Sequence, residues 1–513
     1  MSGIALIENL AQNEERIAIV DEAGEYTYGR LLSASAAVAA RLLEAAGVND
    51  LGEKRVAFIV RPGFDYPAIL LGIWRAGGIA VPLCVSHPDP ELKYVIKDSG
   101  SGFVIAGEEF AGRLERISAM LGADFFLSRN VIEGETAPLP ELGESRRAMI
   151  IYTSGTTSRP KGVVTTHANI RHQITSLVSA WGWTKEDYIL NPLPLHHLHG
   201  ILNVLLCALW SGAKCELLVK FDAGSVWEKF IKNDYTVFMA VPTIYTRLIR
   251  AWDEAPLGER KEMSEAARSM RLMVSGSAAL PVGTLLKWEE ITGHVLLERY
   301  GMTEIGMALS NPLAGKRVPG KVGAPLPGVE VALIDEDERI LSGPAEGEII
   351  VRGPNVFLEY WQRPSETLES FMEDRWFRTG DAAERNAEGV YRILGRKSVD
   401  IIKSGGYKIS ALEIEEVLRE HPSIADCAVV GVPDEEWGER VSAAIVPSGE
   451  GELSGNSLKD WCRERLAPYK VPTLYLTVKE LPRNQMGKVV KPDVCALFTA
   501  EGKSPAKSSG AKP

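Results

Sequence analysis

The fold is decided by one stretch of the sequence, Ile150-Ile151-Tyr152-Thr153-Ser154-Gly155-Thr156-Thr157-Ser158-Arg159-Pro160-Lys161-Gly162. The apolar run that ends at Tyr152 predicts a buried strand, because it is rich in β-forming residues and breaks abruptly into turn residues. Four hydroxyl side chains then surround one glycine, Gly155, and they are Thr153, Ser154, Thr156 and Thr157. Hydroxyls and free backbone N–H groups suit phosphate oxygens, and Lys161 adds a positive charge at the end of the loop. The stretch therefore predicts a phosphate-binding loop.

Two other kinds of loop have a similar composition. It is not a Walker loop, since no Gly-Lys-Ser/Thr follows at the required spacing. An ordinary Ser/Thr-rich surface loop remains open on this stretch alone. The order Tyr-Thr-Ser-Gly-Thr-Thr-Ser-x-Pro-Lys-Gly resembles the phosphate loop of the adenylate-forming enzymes, the family of acyl-CoA synthetases and luciferases. That family carries further motifs in a fixed order, which the rest of the chain must supply.

Composition sets the outer limits of the function. A chain of 513 residues is too long for one ordinary core, so two or more domains are expected. A formal net charge of -11 argues against nucleic acid as a partner. Six scattered cysteines without a C-x-x-C pair argue against disulfides and zinc and favour a reducing compartment. No run reaches ~18 apolar residues, and the first 18 residues resemble no targeting signal, so we expect no membrane span and a cytoplasmic location.

Alternating strands and helices predict an α/β fold with layered, largely parallel sheets. Before the phosphate loop, helices are expected at 28–46 and 65–76, with strands at 55–60 and 78–83. A β-rich insert is expected at 322–351. A compact α/β unit follows residue 396, and the Lys/Ser/Gly/Pro-rich end is expected to be disordered. The predicted domains are a large N-terminal domain of α/β subdomains (1–396), a smaller C-terminal α/β domain (397–499) and a tail (500–513).

The segment Pro194-Leu195-His196-His197-Leu198-His199-Gly200 places three histidines close together. A zinc site would need further ligands at matched spacing, and none is close in sequence. In adenylate-forming enzymes a similar Pro-Leu-x-His-x-x-Gly segment lies beside the acyl pocket, and His197 takes the place of its histidine. The apolar run after it, Ile201 to Trp210, predicts a core helix.

Three later motifs combine groups that suit a nucleotide. Small residues follow a strand at Ser275-Gly276-Ser277-Ala278 and leave room for a flat purine ring. Tyr300-Gly301-Met302-Thr303-Glu304 brings together an aromatic ring, a hydroxyl and a carboxylate, which can stack a base and hold Mg²⁺ through oxygen. Asp381 is placed to accept hydrogen bonds from ribose hydroxyls. In this order after the phosphate loop, the motifs cover nearly the whole chain and strongly favour the resemblance.

The resemblance implies separate roles for the motif residues. The triphosphate is expected to contact Thr153, Ser154, Gly155, Thr156, Thr157 and Lys161, and adenine is expected to contact Gly276, Ser277, Ala278 and Tyr300. The ribose residues are Asp381 and Arg396, and the catalytic residues are Lys488, Thr303, Glu304 and His197, with Glu304 also the ligand of Mg²⁺. Gly405 and Gly406 resemble the loop along the pantetheine channel for coenzyme A. The family's hinge position, usually Lys or Asp, is Ser398 here, so the hinge assignment stays open.

The chemistry of such enzymes explains the predicted domain arrangement. A carboxylate attacks the α-phosphorus of ATP, expels pyrophosphate and forms an acyl-adenylate, and a thiol then displaces AMP. Catalysis of the first step is mostly positioning and charge neutralisation by lysine and Mg²⁺. Because the first step needs Lys488 and the second needs an open channel, a mobile C-terminal domain is expected.

Short segments of the sequence suggest which acid is the substrate. Several segments, such as Leu-Leu-Glu-Arg-Tyr-Gly-Met-Thr-Glu, look like those of malonyl-CoA synthetases, particularly their mitochondrial-type branch. In that group an arginine before the Tyr-Gly-x-Thr-Glu motif meets the second carboxylate, and Arg299 matches it. Arg247 is a candidate second clamp, although a surface ion pair is its alternative. Two cations near a small pocket suit a short dicarboxylate, so malonate or methylmalonate is the favoured acid.

Three alternatives remain open at this level. The enzyme could be another short-chain or aromatic acid:CoA ligase, or a stand-alone adenylation enzyme that loads a carrier protein. A non-catalytic relative that only binds nucleotide is disfavoured, since every catalytic position is retained. The sequence does not give the oligomeric state.

Overall fold

The computed structural model describes residues 3–153, 160–405, 407–434, 437–449, 454–484 and 487–500. The strands are β1 (Ile17–Asp21), β2 (Gly24–Thr27), β3 (Arg55–Ile59), β4 (Ile79–Pro82), β5 (Phe103–Ala106), β6 (Asp124–Leu127), β7 (Arg147–Thr153), β8 (Lys161–Thr166), β9 (Tyr188–Asn191), β10 (Lys214–Leu217), β11 (Val237–Ala240), β12 (Leu272–Ser275), β13 (Leu297–Met302), β14 (Gly306–Ser310), β15 (Ala324–Pro325), β16 (Glu330–Ile334), β17 (Ile340–Leu341), β18 (Ala345–Arg352), β19 (Glu359–Tyr360), β20 (Phe377–Arg385), β21 (Tyr391–Arg396), β22 (Ile401–Ser404), β23 (Tyr407–Ser410), β24 (Ile424–Asp434), β25 (Gly438–Pro447) and β26 (Leu474–Thr477).

Helices alternate with these strands through most of the chain. The α-helices are α1 (Ala5–Leu10), α2 (Tyr28–Ala46), α3 (Asp65–Arg75), α4 (Asp89–Ser99), α5 (Ala111–Leu121), α6 (Ser128–Ile132), α7 (His167–Trp181), α8 (Cys207–Ser211), α9 (Ala223–Lys232), α10 (Pro242–Glu254), α11 (Leu257–Arg268), α12 (Val282–Thr292), α13 (Pro364–Glu369), α14 (Ala411–Arg419), α15 (Gly455–Arg463) and α16 (Lys491–Ala500). Short 3₁₀ helices occupy Ala11–Asn13, Glu108–Phe110, Glu373–Arg375 and Pro468–Lys470, and a π-helix occupies His199–Leu206.

The chain forms two compact units. The first comprises Met1–Leu280, Thr284–Val331 and Ile350–Arg378, and the second comprises Pro281–Gly283, Ala332–Ile349 and Thr379–Pro513. The predicted α/β class, with a large N-terminal part and a smaller C-terminal part, is confirmed. The boundary at residues 396/397 and the mobility of 397–499 stay predictions. The tail expected to be disordered, 500–513, lies outside the described residues apart from Ala500, which ends α16.

A seven-stranded sheet in the first unit carries the opening stretch. Its order is β19-β8-β7-β4-β3-β5-β6, and β3, β4 and β5 pair in parallel, as the alternating pattern predicts. Ile150 of β7 lies in a buried apolar cluster with Ile59, Val81 and Val164. Because β7 is buried and central, its carboxyl end is a fixed platform for the loop that follows.

A nine-stranded sheet in the same unit carries the later motifs. Its order is β15-β14-β13-β12-β11-β9-β10-β1-β2. The strands β11, β12 and β13 pair in parallel, so their carboxyl ends lie at one edge. Pro242 begins α10 directly after β11, as expected of proline in the first turn of a helix. In α/β sheets, ligands usually bind outside the carboxyl ends of the parallel strands, where the loops that follow the strands carry the contacting residues.

The segment expected to be one core helix differs from the prediction. The π-helix at His199–Leu206 precedes α8, and all of its residues are buried. The Gly200 carbonyl accepts a 3.2 Å hydrogen bond from the Asn191 side chain. A side chain at Gly200 would also meet the Pro194 carbonyl at 2.6 Å. Apolar periodicity cannot reveal such a π-helix, because it depends on these distant contacts.

A third sheet has the order β17-β16-β18-β20-β21. Its strands β16, β17 and β18 come from the β-rich segment expected at 322–351, whereas β15 of that segment joins the nine-stranded sheet. The second unit contains the sheet β23-β22-β25-β24, with β26 added beside β25. Ile402, Ile414, Val429 and Leu458 belong to its own buried cluster. Within the described residues, no helix is long and apolar enough to cross a membrane.

Candidate functional site

The loop of the opening stretch is the connection of an antiparallel hairpin. β7 ends at Thr153 and β8 begins at Lys161, and these two residues pair directly. Ser154, Gly155, Thr156 and Thr157 lie outside the described residues. The Tyr94 hydroxyl donates a 2.8 Å hydrogen bond to the Pro160 carbonyl and so fixes the far end of the connection. The predicted strand is confirmed, while the phosphate-binding role of the loop stays a prediction.

Lys161 contacts two residues that lie outside the sequence motifs, Glu366 and Tyr360. Its ammonium lies 2.5 Å from Glu366 Oε2 on α13 and 5.4 Å from the centre of the Tyr360 ring. Tyr360 reaches this position because β19 pairs with β8, which sets Tyr360 opposite Val163. Neither residue stands in a motif of its own, so only strand pairing reveals them.

Glu304 occupies the turn between β13 and β14. Its carboxylate accepts a 3.0 Å hydrogen bond from the Tyr360 hydroxyl, and its side chain is only 7% exposed. Asn355 and Phe357 hold the turn, since Phe357 N–H donates to the Glu304 carbonyl at 2.7 Å and the Asn355 side-chain amide donates to the Ile305 carbonyl at 2.5 Å. Thr303 beside it is half-buried, as is Tyr300 on β13. Tyr360 therefore links the turn that carries Glu304 to the strand that carries Lys161.

Arg299 lies at the centre of a buried polar cluster. Its side chain is 3% exposed and donates a 3.3 Å hydrogen bond from Nη2 to Ser277 Oγ. Ser277 Oγ also lies 3.2 Å from His199 Nδ1. A Cβ atom at Gly276 would lie 2.6 Å from the guanidinium carbon, so only glycine leaves room for the Arg299 guanidinium group. Ser277 itself has a φ of 71°, in the left-handed region that costs a non-glycine residue energy.

Burial decides the charge states in this cluster. It lowers the pKa of Arg299 to about 9, which still leaves the guanidinium charged at neutral pH. It lowers the pKa of His199 well below its usual value, and the charges of Arg299 and His197 add to the shift, so His199 is neutral. We infer that Ser277 accepts from Arg299 and donates to His199 Nδ1, which places the histidine proton on Nε2.

Two donors of the cluster remain unused. Among the described residues, neither Arg299 Nε nor His199 Nε2 has a hydrogen-bond partner, and both are buried. No carboxylate in the described part of the chain pairs with Arg299, whose pKa is shifted by burial alone. A buried positive charge with spare donors is costly unless an anion completes it.

The other residues predicted to contact the acid, His197 and Arg247, are less buried than Arg299. His197 is half-buried, and its ring centre is 4.0 Å from that of His196, which is 6.2 Å from that of His87. Arg247 is exposed, with its guanidinium 4.9 Å from the centre of the Phe221 ring. The structure thus brings His199, rather than Arg247, to Arg299. The three neighbouring histidines in the sequence include His199, but the family motif assigns the acyl-pocket role to His197.

In the described residues, no group of three or more His, Cys, Asp or Glu side chains is arranged to hold a metal ion. Ala278, the last residue of the predicted adenine segment, is exposed after β12.

The predicted ribose residues meet within the second unit. Arg396 Nε lies 2.8 Å from Asp381 Oδ1, and the two residues are direct partners across β20 and β21. Arg396 also donates a 2.9 Å hydrogen bond to the Thr379 carbonyl. The arginine thus holds the Asp381 carboxylate in one orientation.

Lys488 and Gly405 also belong to the second unit. Lys488 is exposed on a tight turn, where its N–H donates to Asn484 Oδ1 at 3.0 Å and its carbonyl accepts from Asn484 N–H at 2.9 Å. Gly405 has a φ of 55°, and a Cβ atom there would lie 2.9 Å from the half-exposed Trp437 ring. Gly406 lies outside the described residues.

Comparison with known protein families matches both parts of the chain. Residues 6–361 match the AMP-binding enzyme family, and residues 413–488 match the AMP-binding enzyme C-terminal domain. The chain is 48% identical over 522 residues to malonate–CoA ligase ACSF3, mitochondrial, of Mus musculus, covering 95% of this chain and 89% of that protein.

Solved structures of similar enzymes also match nearly the whole chain. The crystal structure of ATP-bound MatB from Rhodopseudomonas palustris matches with a TM-score of 0.90 at 32% identity, covering 98% of this chain and 100% of that chain. A malonyl-CoA ligase in a ternary product complex with methylmalonyl-CoA and AMP matches with a TM-score of 0.67 at 36% identity, covering 92% of this chain and 97% of that chain.

Proposed function

The chain belongs to the AMP-binding enzyme family, and we propose that it joins malonate, or methylmalonate, to coenzyme A at the expense of ATP. It is an AMP-forming acid–thiol ligase, so the acid is first activated as an acyl-adenylate with loss of pyrophosphate. Malonate is favoured because a relative named malonate–CoA ligase is 48% identical to it along most of its length.

The observation that carries the choice of acid is the buried charge of Arg299. A monocarboxylic acid uses its only carboxylate in the reaction, so it offers nothing to a second cation. Malonate has a distal carboxylate, which can accept hydrogen bonds from Arg299 Nε and His199 Nε2, the two unused donors of the cluster. Pairing a buried guanidinium with a carboxylate compensates its charge and offsets part of the desolvation cost that burial imposes on it.

The first chemical step needs the negative charges of ATP to be held and oriented. We assign Lys161 and Thr153, with the loop between them, to the triphosphate, and Tyr300 with Gly276 to the adenine. The acid's reacting carboxylate attacks the α-phosphorus, and the bond to pyrophosphate breaks. Most of the rate comes from positioning and charge stabilisation, because the protein does little covalent chemistry in such a transfer.

The residues around Glu304 fit Mg²⁺. Its carboxylate is a hard oxygen ligand, and the hydrogen bond from Tyr360 fixes its orientation. Mg²⁺ usually binds through one or two carboxylates plus substrate phosphates. Glu304 and the neighbouring Thr303 hydroxyl would therefore be sufficient as the ligands from the protein. A bound Mg²⁺ would neutralise phosphate charge.

The remaining roles fall to residues of the second unit. Asp381, oriented by Arg396, is assigned to the ribose hydroxyls, and Lys488 is assigned to the carboxylate and α-phosphate during adenylation. The thiol of coenzyme A then attacks the acyl carbon and AMP leaves, with Gly405 and Gly406 along the thiol's channel. His197 is assigned to the acyl pocket, while Arg247 as a second clamp stays a prediction.

The place where the protein works is also a prediction. The sequence favours the cytoplasm, whereas the mouse relative is named as mitochondrial.

A screen of acids tests the proposed function. Pyrophosphate release is measured with ATP and each of several mono- and dicarboxylic acids, with and without coenzyme A. We expect malonate or methylmalonate to give the highest kcat/KM, and release to be coupled to acyl-CoA formation. Faster turnover with acetate, butyrate or benzoate would contradict the choice of acid. Acyl transfer to a holo-carrier protein but not to coenzyme A would instead favour a carrier-loading enzyme.

Gly405→Leu tests the channel assignment. A side chain there meets the Trp437 ring, so we expect thioester formation to fall about 10²-fold while ATP–pyrophosphate exchange remains near wild type. The matched control is Gly389→Leu, since Gly389 also has a positive φ, 76°, but has open space around it. Equal loss of both half-reactions in the Gly405 variant, or the same loss in the control, would contradict the assignment.

A further inference from the structure

The ammonium of Lys161 has an anionic partner inside the protein. Glu366 Oε2 lies 2.5 Å from it, and this oxygen is shielded from solvent. In the part of the chain that the structure describes, this oxygen has no hydrogen-bond partner, so its contact with Lys161 is an attraction between charges. Lys161 and Glu366 are 29% and 42% exposed, so the pair is neither fully buried nor freely solvated.

Glu366 is held in place by the same residues that fix the end of the phosphate loop. Arg363 Nε lies 4.0 Å from Glu366 Oε1, and Arg363 Nη2 lies 3.0 Å from Asp98 and 3.3 Å from the Tyr94 hydroxyl. Tyr94 in turn donates to the Pro160 carbonyl. Through Arg363 the carboxylate therefore lies beside the hydrogen bonds that anchor the end of the phosphate loop.

A single ammonium cannot give its full attraction to a carboxylate and a phosphate oxygen together. The assignment of Lys161 to the triphosphate thus requires it to exchange one anion for another. We propose that Glu366 is a positioning residue that acts through Lys161 and competes with the triphosphate for its charge. This inference rests on the proposed function, because it needs ATP as the second anion.

Such a competitor has two consequences. It weakens ATP binding, since the ion pair must open first. It also weakens the binding of pyrophosphate after the bond between the α-phosphorus and pyrophosphate has broken, because the Glu366 carboxylate can pair with Lys161 again. Glu366 thereby favours release of the first product over its return to ATP.

Glu366→Gln tests this inference, because it removes the charge and keeps the shape. Exposed and partly exposed ion pairs are worth at most about 1 kcal/mol, so we expect the KM for ATP and the inhibition constant of pyrophosphate each to fall about 3- to 5-fold. The KM values for the acid and coenzyme A should stay unchanged. Glu369→Gln is the matched control, since Glu369 is exposed on the same helix.

The same substitution in a Lys161→Gln background completes the test. Lys161→Gln should raise the KM for ATP, and adding Glu366→Gln to it should then change nothing further. The inference is overturned if Glu366→Gln leaves both constants unchanged, if Glu369→Gln lowers them equally, or if its effect persists without Lys161. An unchanged KM for ATP in Lys161→Gln also overturns it. Absence of wild-type turnover with every acid would mark failure of the proposed function instead.

Discussion

Lys488→Ala is expected to lower the rate of adenylate formation by about 10²–10³-fold, the cost of losing one charged contact to a transition state. Thioester formation from a supplied acyl-adenylate should stay near the wild-type rate, since the first step alone needs the lysine. The two half-reactions are measured separately, as ATP–pyrophosphate exchange and as acyl-CoA formation from the adenylate.

The position of Lys488 makes this variant a clean test. Its side chain is exposed, and its hydrogen bonds to Asn484 come from its backbone N–H and carbonyl, which alanine also provides. Lys479→Ala, another exposed lysine of the second unit, is the control and should change neither half-reaction. Parallel loss of both steps in Lys488→Ala would contradict the assignment.

The elements set by local patterns agree closely with the structure. Residues 28–46 form α2, and the apolar run before the phosphate loop forms β7. The helix expected at 65–76 forms α3, which ends one residue earlier, at Arg75. Local sequence describes such segments well because their burial and capping depend on neighbouring residues.

Features that depend on distant packing could not be predicted. Glu366 stands in no recognisable motif, and only the pairing of β19 with β8 brings its segment to Lys161. The role of His199 depends on a π-helix and on the left-handed φ of Ser277, neither of which has a signature in the sequence. Arg299 was predicted, since a charged residue in a strand that should be buried is itself unusual.

Arg299→Ala is expected to decide which acid the enzyme accepts. The wild type should prefer malonate to acetate or butyrate by up to about 10⁴-fold, because a monocarboxylate leaves buried polar groups unpaired. Breaking a buried charge pair costs about 3–5 kcal/mol, so the variant should lose at least roughly 10²–10³-fold in kcat/KM for malonate. The measurement is kcat/KM for malonate and for butyrate in both proteins.

The loss should be selective for the dicarboxylate. Activity on butyrate should fall far less than activity on malonate, and it rises if removal of the buried charge makes the pocket easier to fill with apolar groups. Arg247→Ala gives a comparison on an exposed arginine that already stacks on Phe221, and we expect a much smaller loss there. Arg299→Lys keeps the charge but not the fork of donors, so this variant should retain malonate activity only in part.

The competing view is that Arg299 merely supports the nucleotide-binding segment around Tyr300 and Glu304. Arg299 does contact Gly276 and Ser277, which were assigned to the adenine, so its removal could disturb that side instead. In that case malonate and butyrate would lose activity in parallel, and the KM for ATP would rise. Parallel loss would overturn the dicarboxylate assignment while leaving the AMP-forming ligase activity in place, because that activity depends on the phosphate loop, Glu304 and Lys488 rather than on the distal end of the acid.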